Sequence, residues 1–382
     1  MLTRTKKIDL RARLRRLEDV DWDFSTSRSQ SAFSSLHWHP CRYPSQIPAV
    51  LIGALSDPGE VVLDPFLGSG TTAVEAQRLD RLCVGIELNP VSALMARAKT
   101  LSRDSGQIRK LVDRIRVLVR QTARRETVPK TVQSEKWYTP RTLNDLRKLR
   151  GGIAELRGDG RILAEAAFSA ILLPVCRETR HWGYVCDNTA PKDNNERDVI
   201  ELYEKTLIGF AEAYEARDAY RTVSYRRELP VPEVRVLEGD AADVLKSKSV
   251  EGAQLIVTSP PYFGVADYVK AQRLTLEWQG LEIEPLRQKE IGARSKRHRL
   301  VAADQYLADC KRVFDGCRGV LDRGRACAVV FGESGDRAPM KEKFEQVVES
   351  CQFKLIYKQS RKISSGRRQN PSLQTEHLLI FM

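Results

Sequence analysis

Near the amino end of this chain, a short apolar run, a glycine-containing loop, a helical segment and a second apolar run follow one another. The apolar runs are 60–63 and 82–86, and residues 71–79 have the spacing of a helix. This succession is typical of a βαβ unit, in which two parallel strands are joined by a helix. Parallel strands are normally buried on both faces, so the chain is predicted to fold around a parallel sheet covered by helices.

The same alternation returns towards the carboxyl end. Short apolar runs predict strands at 233–237, 254–257 and 326–331, helical patterns cover 303–321 and 340–351, and a terminal strand pair is predicted at 354–359 and 377–381. These patterns predict an α/β fold with a Rossmann-like, doubly wound sheet that has an antiparallel end.

A helical block separates the two halves, with apolar residues at a 3.6-residue period and helices predicted at 140–156, 161–176 and 198–217. We therefore predict a basic and polar arm (1–36), the first half of an α/β domain (37–100), an inserted helical subdomain that could recognise a target (101–230), and the second half of the domain (231–382).

The chain carries 63 lysines and arginines against 50 aspartates and glutamates, a formal net charge of +13. So basic a surface attracts polyanions, and nucleic acid is the partner that it favours, although charge alone does not name the polyanion. The eight cysteines form no C-x-x-C pair, which predicts buried, reduced thiols and no metal site. No apolar run is long enough for a bilayer and no signal peptide is evident, so we predict a cytoplasmic protein without membrane association.

The loop after the first predicted strand has the features of a ligand site. Asp64 ends the strand, and Gly68 and Gly70 precede the helix. Glycines let the backbone approach a ligand, and a helix N-terminus favours an anionic carboxylate. With Asp64 available to receive an amino group, the loop suits an amino-acid zwitterion such as the methionine end of S-adenosylmethionine. Glu87, at the end of the next strand, is placed to bind ribose hydroxyls.

A dinucleotide site is the alternative interpretation, because residues 68–73 also satisfy the pattern G-x-G-x-x-G/A. In that motif the first glycine closes the strand directly, whereas Asp64, Pro65 and Phe66 intervene here. A P-loop is excluded because no lysine follows Gly70.

A second motif follows the predicted strand 254–257. It reads Ser259-Pro260-Pro261-Tyr262. Two prolines hold the backbone rigid and aim the Ser259 hydroxyl and the Pro260 carbonyl at one point, where both could accept the hydrogens of an exocyclic amino group. Holding both N–H bonds favours a tetrahedral nitrogen whose lone pair can attack a methyl group, and Tyr262 offers a face for a flipped base.

With these two motifs the sequence resembles the amino-methyltransferase family of DNA modification enzymes. The resemblance implies S-adenosylmethionine as cofactor and Ser259, Pro260, Pro261 and Tyr262 as the catalytic tetrapeptide. It also implies a set of cofactor-binding residues: Tyr43 and Pro44 in the segment before the loop, Asp64, Pro65, Phe66, Gly68, Ser69, Gly70 and Thr71 in the loop, Glu87 at the ribose, and Asp240 near the adenine.

The family associates Ser-Pro-Pro-Tyr mainly with cytosine N4, which is therefore the predicted target, and Asp- or Asn-Pro-Pro-Tyr with adenine N6, which stays the alternative. The cofactor loop precedes the tetrapeptide here, whereas many relatives with Ser-Pro-Pro-Tyr have the opposite order. Cytosine C5 is discounted, because the one Pro-Cys pair, Pro40-Cys41, lies before the cofactor loop and not after it.

Two basic segments are predicted to contact the phosphates of double-stranded DNA: Arg294, Lys296, Arg297 and Arg299, and then Arg367 and Arg368. A solvated surface is the alternative for such a charge run. An RNA amino-methyltransferase, a non-catalytic DNA-binding subunit and a nicotinamide oxidoreductase are the rival functions. A cognate restriction endonuclease is a possible partner.

Overall fold

The computed structural model describes residues 9–24, 31–37, 43–121, 129, 133–177, 190–191, 197–225, 230–296, 298–334, 340–363 and 373–382. Seven strands lie in one sheet: β1 Val61–Asp64, β2 Leu82–Glu87, β3 Val234–Glu238, β4 Ala253–Thr258, β5 Leu321–Ser334, β6 Leu355–Lys362 and β7 Leu373–Phe381. Their order is β3-β2-β1-β4-β5-β7-β6. The first five strands pair in parallel, and β7 is antiparallel to both β5 and β6. The predicted doubly wound α/β fold with an antiparallel end is confirmed.

The described helices are α1 Leu10–Arg15, α2 Gln46–Leu55, α3 Thr71–Arg78, α4 Pro90–Thr100, α5 Ser105–Gln121, α6 Ser134–Trp137, α7 Pro140–Ala154, α8 Gly158–Leu172, α9 Val199–Tyr225, α10 Ala241–Lys246, α11 Tyr268–Ala271, α12 Arg273–Trp278, α13 Glu284–Lys289, α14 Ala302–Val320 and α15 Met340–Ser350. Short 3₁₀ turns cover Ala32–Ser35 and Arg294–Lys296. No helix among the described residues has the length and apolar character needed to cross a bilayer.

Two elements run well past their predicted ends because polar residues find partners there. Strand β5 continues to Ser334, since Glu333 pairs with Thr375 of β7. Helix α9 continues to Tyr225, eight residues beyond the predicted end. Within this extension Arg221 is buried and donates hydrogen bonds to Asp80 and to the Pro230 carbonyl. Apolar periodicity does not show such pairs.

The helical block and the first half of the sheet domain share one core. Side chains of α3 and α4 pack with those of α5, α7, α8 and α9 in a single apolar cluster. Arg217 of α9 is 3% exposed and donates to Gln77 of α3. Trp137 and Tyr138 lie in the same cluster. Six of the eight cysteines are among the described residues, and all six are buried, as predicted: Cys83, Cys176, Cys310, Cys317, Cys327 and Cys351.

The parallel pairing places the carboxyl ends of β1, β2, β3 and β4 at the same edge of the sheet. In open α/β sheets this edge is where ligands bind. The glycine loop after β1, Glu87 at the end of β2 and Ser259 after β4 therefore meet there.

Candidate active site

The loop between β1 and α3 is fixed by backbone contacts and left-handed glycines. Gly68 and Gly70 have φ values of 54° and 88°, and Gly70 caps α3. The Leu67 N–H donates to the Ile86 carbonyl (3.0 Å), and the Gly70 N–H donates to the Leu67 carbonyl (3.0 Å). The turn thereby presents the first N–H groups of α3, which favour an anionic group.

Asp64 holds this loop from inside the protein. Its Oδ1 accepts hydrogen bonds from the Phe66 N–H (3.0 Å) and the Thr258 hydroxyl (2.6 Å), and its Oδ2 accepts one from the Thr72 hydroxyl (2.6 Å). Burial raises the pKa of Asp64 to about 6. We expected this carboxylate to receive an amino group directly. It is 1% exposed and does not line the cleft, because its oxygens join the ends of β1 and β4 to α3.

Glu87 and Asp240 face the cleft from the ends of β2 and β3. The Glu87 carboxylate accepts the N–H groups of Gly68 (2.8 Å) and Asn89 (2.7 Å), and burial raises its pKa to about 7. Asp240 caps α10 by accepting the Ala242 N–H (2.9 Å). Two carboxylates therefore lie beside the glycine loop.

The tetrapeptide after β4 lies beside the glycine loop, because β4 pairs directly with β1. Ser259 Oγ donates to the Tyr262 hydroxyl (3.0 Å), which donates to Glu376 Oε1 (3.1 Å), and the Pro261 carbonyl accepts the Tyr306 hydroxyl (3.0 Å). Tyr262 is only 3% exposed and packs with Val265. The tyrosine predicted to be a stacking face is thus a wall of the cleft with its hydroxyl already bonded.

These residues surround one open cleft. The predicted site residues that line it are Tyr43, Pro65, Phe66, Gly68, Ser69, Thr71, Glu87, Asp240, Ser259, Pro260, Pro261 and Tyr262. Pro44, Asp64 and Gly70 do not line it. The cleft accordingly contains both predicted motifs, which lie nearly 200 residues apart in the chain.

Further lining residues come from a segment that sequence reasoning missed: Tyr268, Lys289, Glu290 and Ile291. Glu290 is 7% exposed, its Oε1 accepts the N–H groups of Tyr268 and Val269, and burial raises its pKa to about 7. Only the short Ile291-Gly292-Ala293 interruption of a charged stretch sets this segment apart in the sequence.

The first basic segment is less available than predicted. Lys296 donates to the backbone carbonyls of Gln288 (2.9 Å) and Glu290 (2.8 Å), so its ammonium group braces the segment that carries Glu290. Burial lowers the pKa of Lys296. Arg299 is exposed and Arg294 is partly buried. Arg297, Arg367 and Arg368 lie outside the described residues, as do residues 38–42.

The close contact between the loop and α4 leaves no space for a side chain at Gly70. A Cβ at Gly70 would lie 2.9 Å from the Cα of Ala96, at a φ of 88°. We expect Gly70→Ala to lower the free energy of unfolding by about 2–4 kcal/mol through strain and overpacking. Gly59→Ala is the matched control, since its φ is 82° with nothing within 4 Å, and it should cost about 1–2 kcal/mol. Equal losses on urea unfolding would contradict the close packing.

Residues 3–97 match a family model described as DNA methylase, for N6 and N4 methyltransferases. This segment contains the glycine loop and Glu87. The Type II methyltransferase M.SmaI of Serratia marcescens is 49% identical over 65 residues, which are 17% of this chain and 22% of that protein. The Type II methyltransferase M.Cfr9I of Citrobacter freundii is 42% identical over 71 residues, 19% of this chain and 24% of that protein.

The matched segments thus span about a quarter of the length of these curated relatives. Among solved structures, TrmN from Thermus thermophilus has a TM-score of 0.36 at 10% identity, over 89% of this chain and 48% of that one. The rRNA methyltransferase AviRa from Streptomyces viridochromogenes has a TM-score of 0.39 at 11% identity, over 95% and 94%. The predicted resemblance to the DNA amino-methyltransferase family is confirmed by the match over residues 3–97.

Proposed function

We propose, from the resemblance of the chain to DNA amino-methyltransferases, that it transfers a methyl group from S-adenosylmethionine to the exocyclic amino group of a flipped DNA base. One observation carries the proposal. A single cleft is lined both by the glycine loop with Glu87 and by the Ser259 hydroxyl with the Pro260 backbone. A cofactor and an amine could therefore meet within it.

The cleft fits the cofactor because two buried polar atoms of its lining residues lack a hydrogen-bond partner among the described residues. Among the described residues, no hydrogen-bond partner reaches Ser69 Oγ or Asn89 Nδ2, and both residues line the cleft. Buried polar groups are costly without partners, so a polar ligand is the natural complement. Ser69 and the α3 N-terminus would hold the methionine end, Glu87 the ribose, and Asp240 the adenine side. When bound, the sulfonium supplies an electrophilic methyl group.

Ser259 and Pro260 would orient the amine. The amino nitrogen of cytosine or adenine is a poor nucleophile because its lone pair is delocalised into the ring. Two acceptors that draw both N–H bonds out of plane localise that lone pair, and positioning of this kind supplies much of a rate enhancement. Cytosine N4 is the target we favour, on the Ser-Pro-Pro-Tyr motif, and adenine N6 is the alternative.

Double-stranded DNA is the proposed substrate, which the net charge of +13 supports. Arg299 is exposed, and we propose it as a phosphate contact. The relatives named above are type II methyltransferases, which supports a restriction-modification setting, in the cytoplasm and with a cognate endonuclease as a possible partner.

Cofactor affinity should depend on pH through Glu87. Its pKa of about 7 means that the carboxylate loses its charge, and with it the stronger hydrogen bonds to ribose hydroxyls, as the pH falls from 8 to 6. We expect binding to weaken about tenfold over that range, measured by calorimetry. Folding depends on pH in the opposite direction. Because the pKa of Glu87 is higher in the folded protein than in the unfolded chain, the free energy of unfolding of the cofactor-free protein falls as the pH rises through 7.

Glu290→Gln is the control for this prediction, because Glu290 lines the same cleft and also has a pKa of about 7. That variant should keep the pH dependence of binding, and Glu87→Gln should abolish it. A flat wild-type profile would exclude Glu87 as a cofactor ligand.

The proposed function is tested by expressing the chain in a methylation-deficient bacterial host and analysing genomic nucleosides by mass spectrometry. N4-methylcytosine formed by the wild type, and not by a Ser259→Ala, Tyr262→Ala double variant, would establish the reaction and the target. N6-methyladenine would keep the mechanism and overturn the choice of base. Unmodified DNA would overturn the proposal and direct attention to RNA.

A further inference from the structure

The Ser259 hydroxyl lies at one end of a buried hydrogen-bond chain that crosses to the terminal hairpin. It donates to Tyr262 (3.0 Å), which donates to Glu376 Oε1 on β7 (3.1 Å). Glu376 Oε2 in turn accepts Arg361 of β6 through Nε (2.8 Å) and Nη2 (2.5 Å). Residues from two distant parts of the sequence therefore form one continuous chain.

The outer end of this chain is rigid. Arg361 and Glu376 are direct partners in the β6–β7 register, and their side chains are 11% and 6% exposed. Arg361 also donates to the Trp22 carbonyl (3.1 Å). A carboxylate paired with a guanidinium in this way forms charge-assisted hydrogen bonds, and removing one partner is costly.

We propose that Glu376 is a positioning residue that makes the Ser259 oxygen an acceptor toward the cleft. The inference rests on the proposed function, and it assigns to the terminal hairpin a role in selecting the group to be methylated.

The direction of each hydrogen bond in this chain follows from what each group can donate. A guanidinium only donates and an ionised carboxylate only accepts, so Tyr262 must give its hydrogen to Glu376. The Tyr262 oxygen is then an acceptor for the Ser259 hydrogen. Among the described residues, no donor bonds to Ser259 Oγ, so its remaining lone pair is left to the cleft.

A Ser259 oxygen that only accepts hydrogen bonds from the cleft can bind an amino group but cannot bind a carbonyl group. An amino group offers hydrogens to an acceptor, whereas the O4 of thymine or the O6 of guanine offers only lone pairs. With the Ser259 hydrogen turned away, a carbonyl would face oxygen lone pairs and lose its hydrogen bond. A site with fixed polarity rejects the wrong group strongly, because the mismatch leaves buried polar atoms unpaired.

Glu376→Gln should reverse the chain. Arg361 still needs an acceptor and would take the amide oxygen, which leaves the amide NH₂ facing Tyr262. Tyr262 would then accept that hydrogen and donate its own to Ser259. We expect kcat for DNA methylation to fall about 100-fold, as for loss of a preorganised hydrogen-bonding group, with cofactor Kd within twofold of wild type.

Two further variants distinguish an effect of hydrogen-bond direction from an effect of side-chain packing. Glu376→Gln combined with Arg361→Leu frees the amide oxygen for Tyr262, so part of the lost kcat should return. Tyr262→Phe keeps the ring but removes the link, and should lose as much kcat as Glu376→Gln. Glu333→Gln is the matched control: its carboxylate lies on β5 of the same sheet, bonded to His377, and kcat should stay within twofold.

A Glu376→Gln or Tyr262→Phe protein that binds cofactor and keeps kcat within threefold of wild type would overturn the proposal, as would an equal loss in Glu333→Gln. A readout without turnover is the ¹³Cζ resonance of Tyr262. It should shift in Glu376→Gln and stay in place in Glu333→Gln. If the wild type formed no methylated nucleoside, the proposed function would fail. Independently of that result, an unshifted Tyr262 resonance in Glu376→Gln would contradict the proposed direction of the hydrogen bonds.

Discussion

Ser259→Ala is expected to lower kcat for DNA methylation by about 100- to 1,000-fold while cofactor Kd stays unchanged. The hydroxyl is one of only two proposed acceptors for the amino group, and loss of one preorganised hydrogen-bonding group has an effect of this size. Ser259 Oγ bonds to Tyr262 and not to the glycine loop, so its removal should leave the loop in place and cofactor binding intact.

The measurement is single-turnover transfer of labelled methyl groups to DNA, with cofactor binding determined separately. Ser247→Ala is the control, because Ser247 is an exposed serine at the end of α10 and should react like wild type. A Ser259→Ala protein with wild-type turnover would remove Ser259 from the catalytic groups.

Asp64→Ala is expected to destabilise the protein by about 3–5 kcal/mol and to abolish cofactor binding in whatever folded protein remains. The substitution leaves the Phe66 N–H and the hydroxyls of Thr72 and Thr258 without their acceptor, and each buried unpaired group costs about 1–3 kcal/mol. The loop that presents Ser69 and the α3 N-terminus would lose its anchor.

Urea unfolding followed by calorimetric titration with S-adenosylmethionine tests this expectation. Asp57→Ala is the control: the Asp57 side chain is 63% exposed and its ion pair with Arg13 lies at the surface, so the cost should be about 1 kcal/mol or less. Full stability with lost binding in Asp64→Ala would instead mean that the carboxylate contacts the cofactor directly.

Local pattern anticipated most of the secondary structure, and tertiary pairing explains the departures. The predicted runs 254–257 and 340–351 lie within one residue of β4 and α15. The end of α9 was missed because the buried Arg217 and Arg221 bond to α3 and to neighbouring loops. The segment around Glu290 was missed because its burial depends on contacts with residues outside the segment, such as Tyr268.

The sequence by itself determined the βαβ unit, the two motifs and their chemistry, because strand periodicity, glycine conformation and proline rigidity are local properties. Only the tertiary structure decided how donors and acceptors pair. It placed Asp64 inside the protein, where the carboxylate accepts the Thr258 hydroxyl, and it placed Glu376 within hydrogen-bonding distance of Tyr262. Hydrogen bonds between residues more than 100 positions apart depend on which strands lie side by side, and sheet order is fixed by the packing of the whole chain.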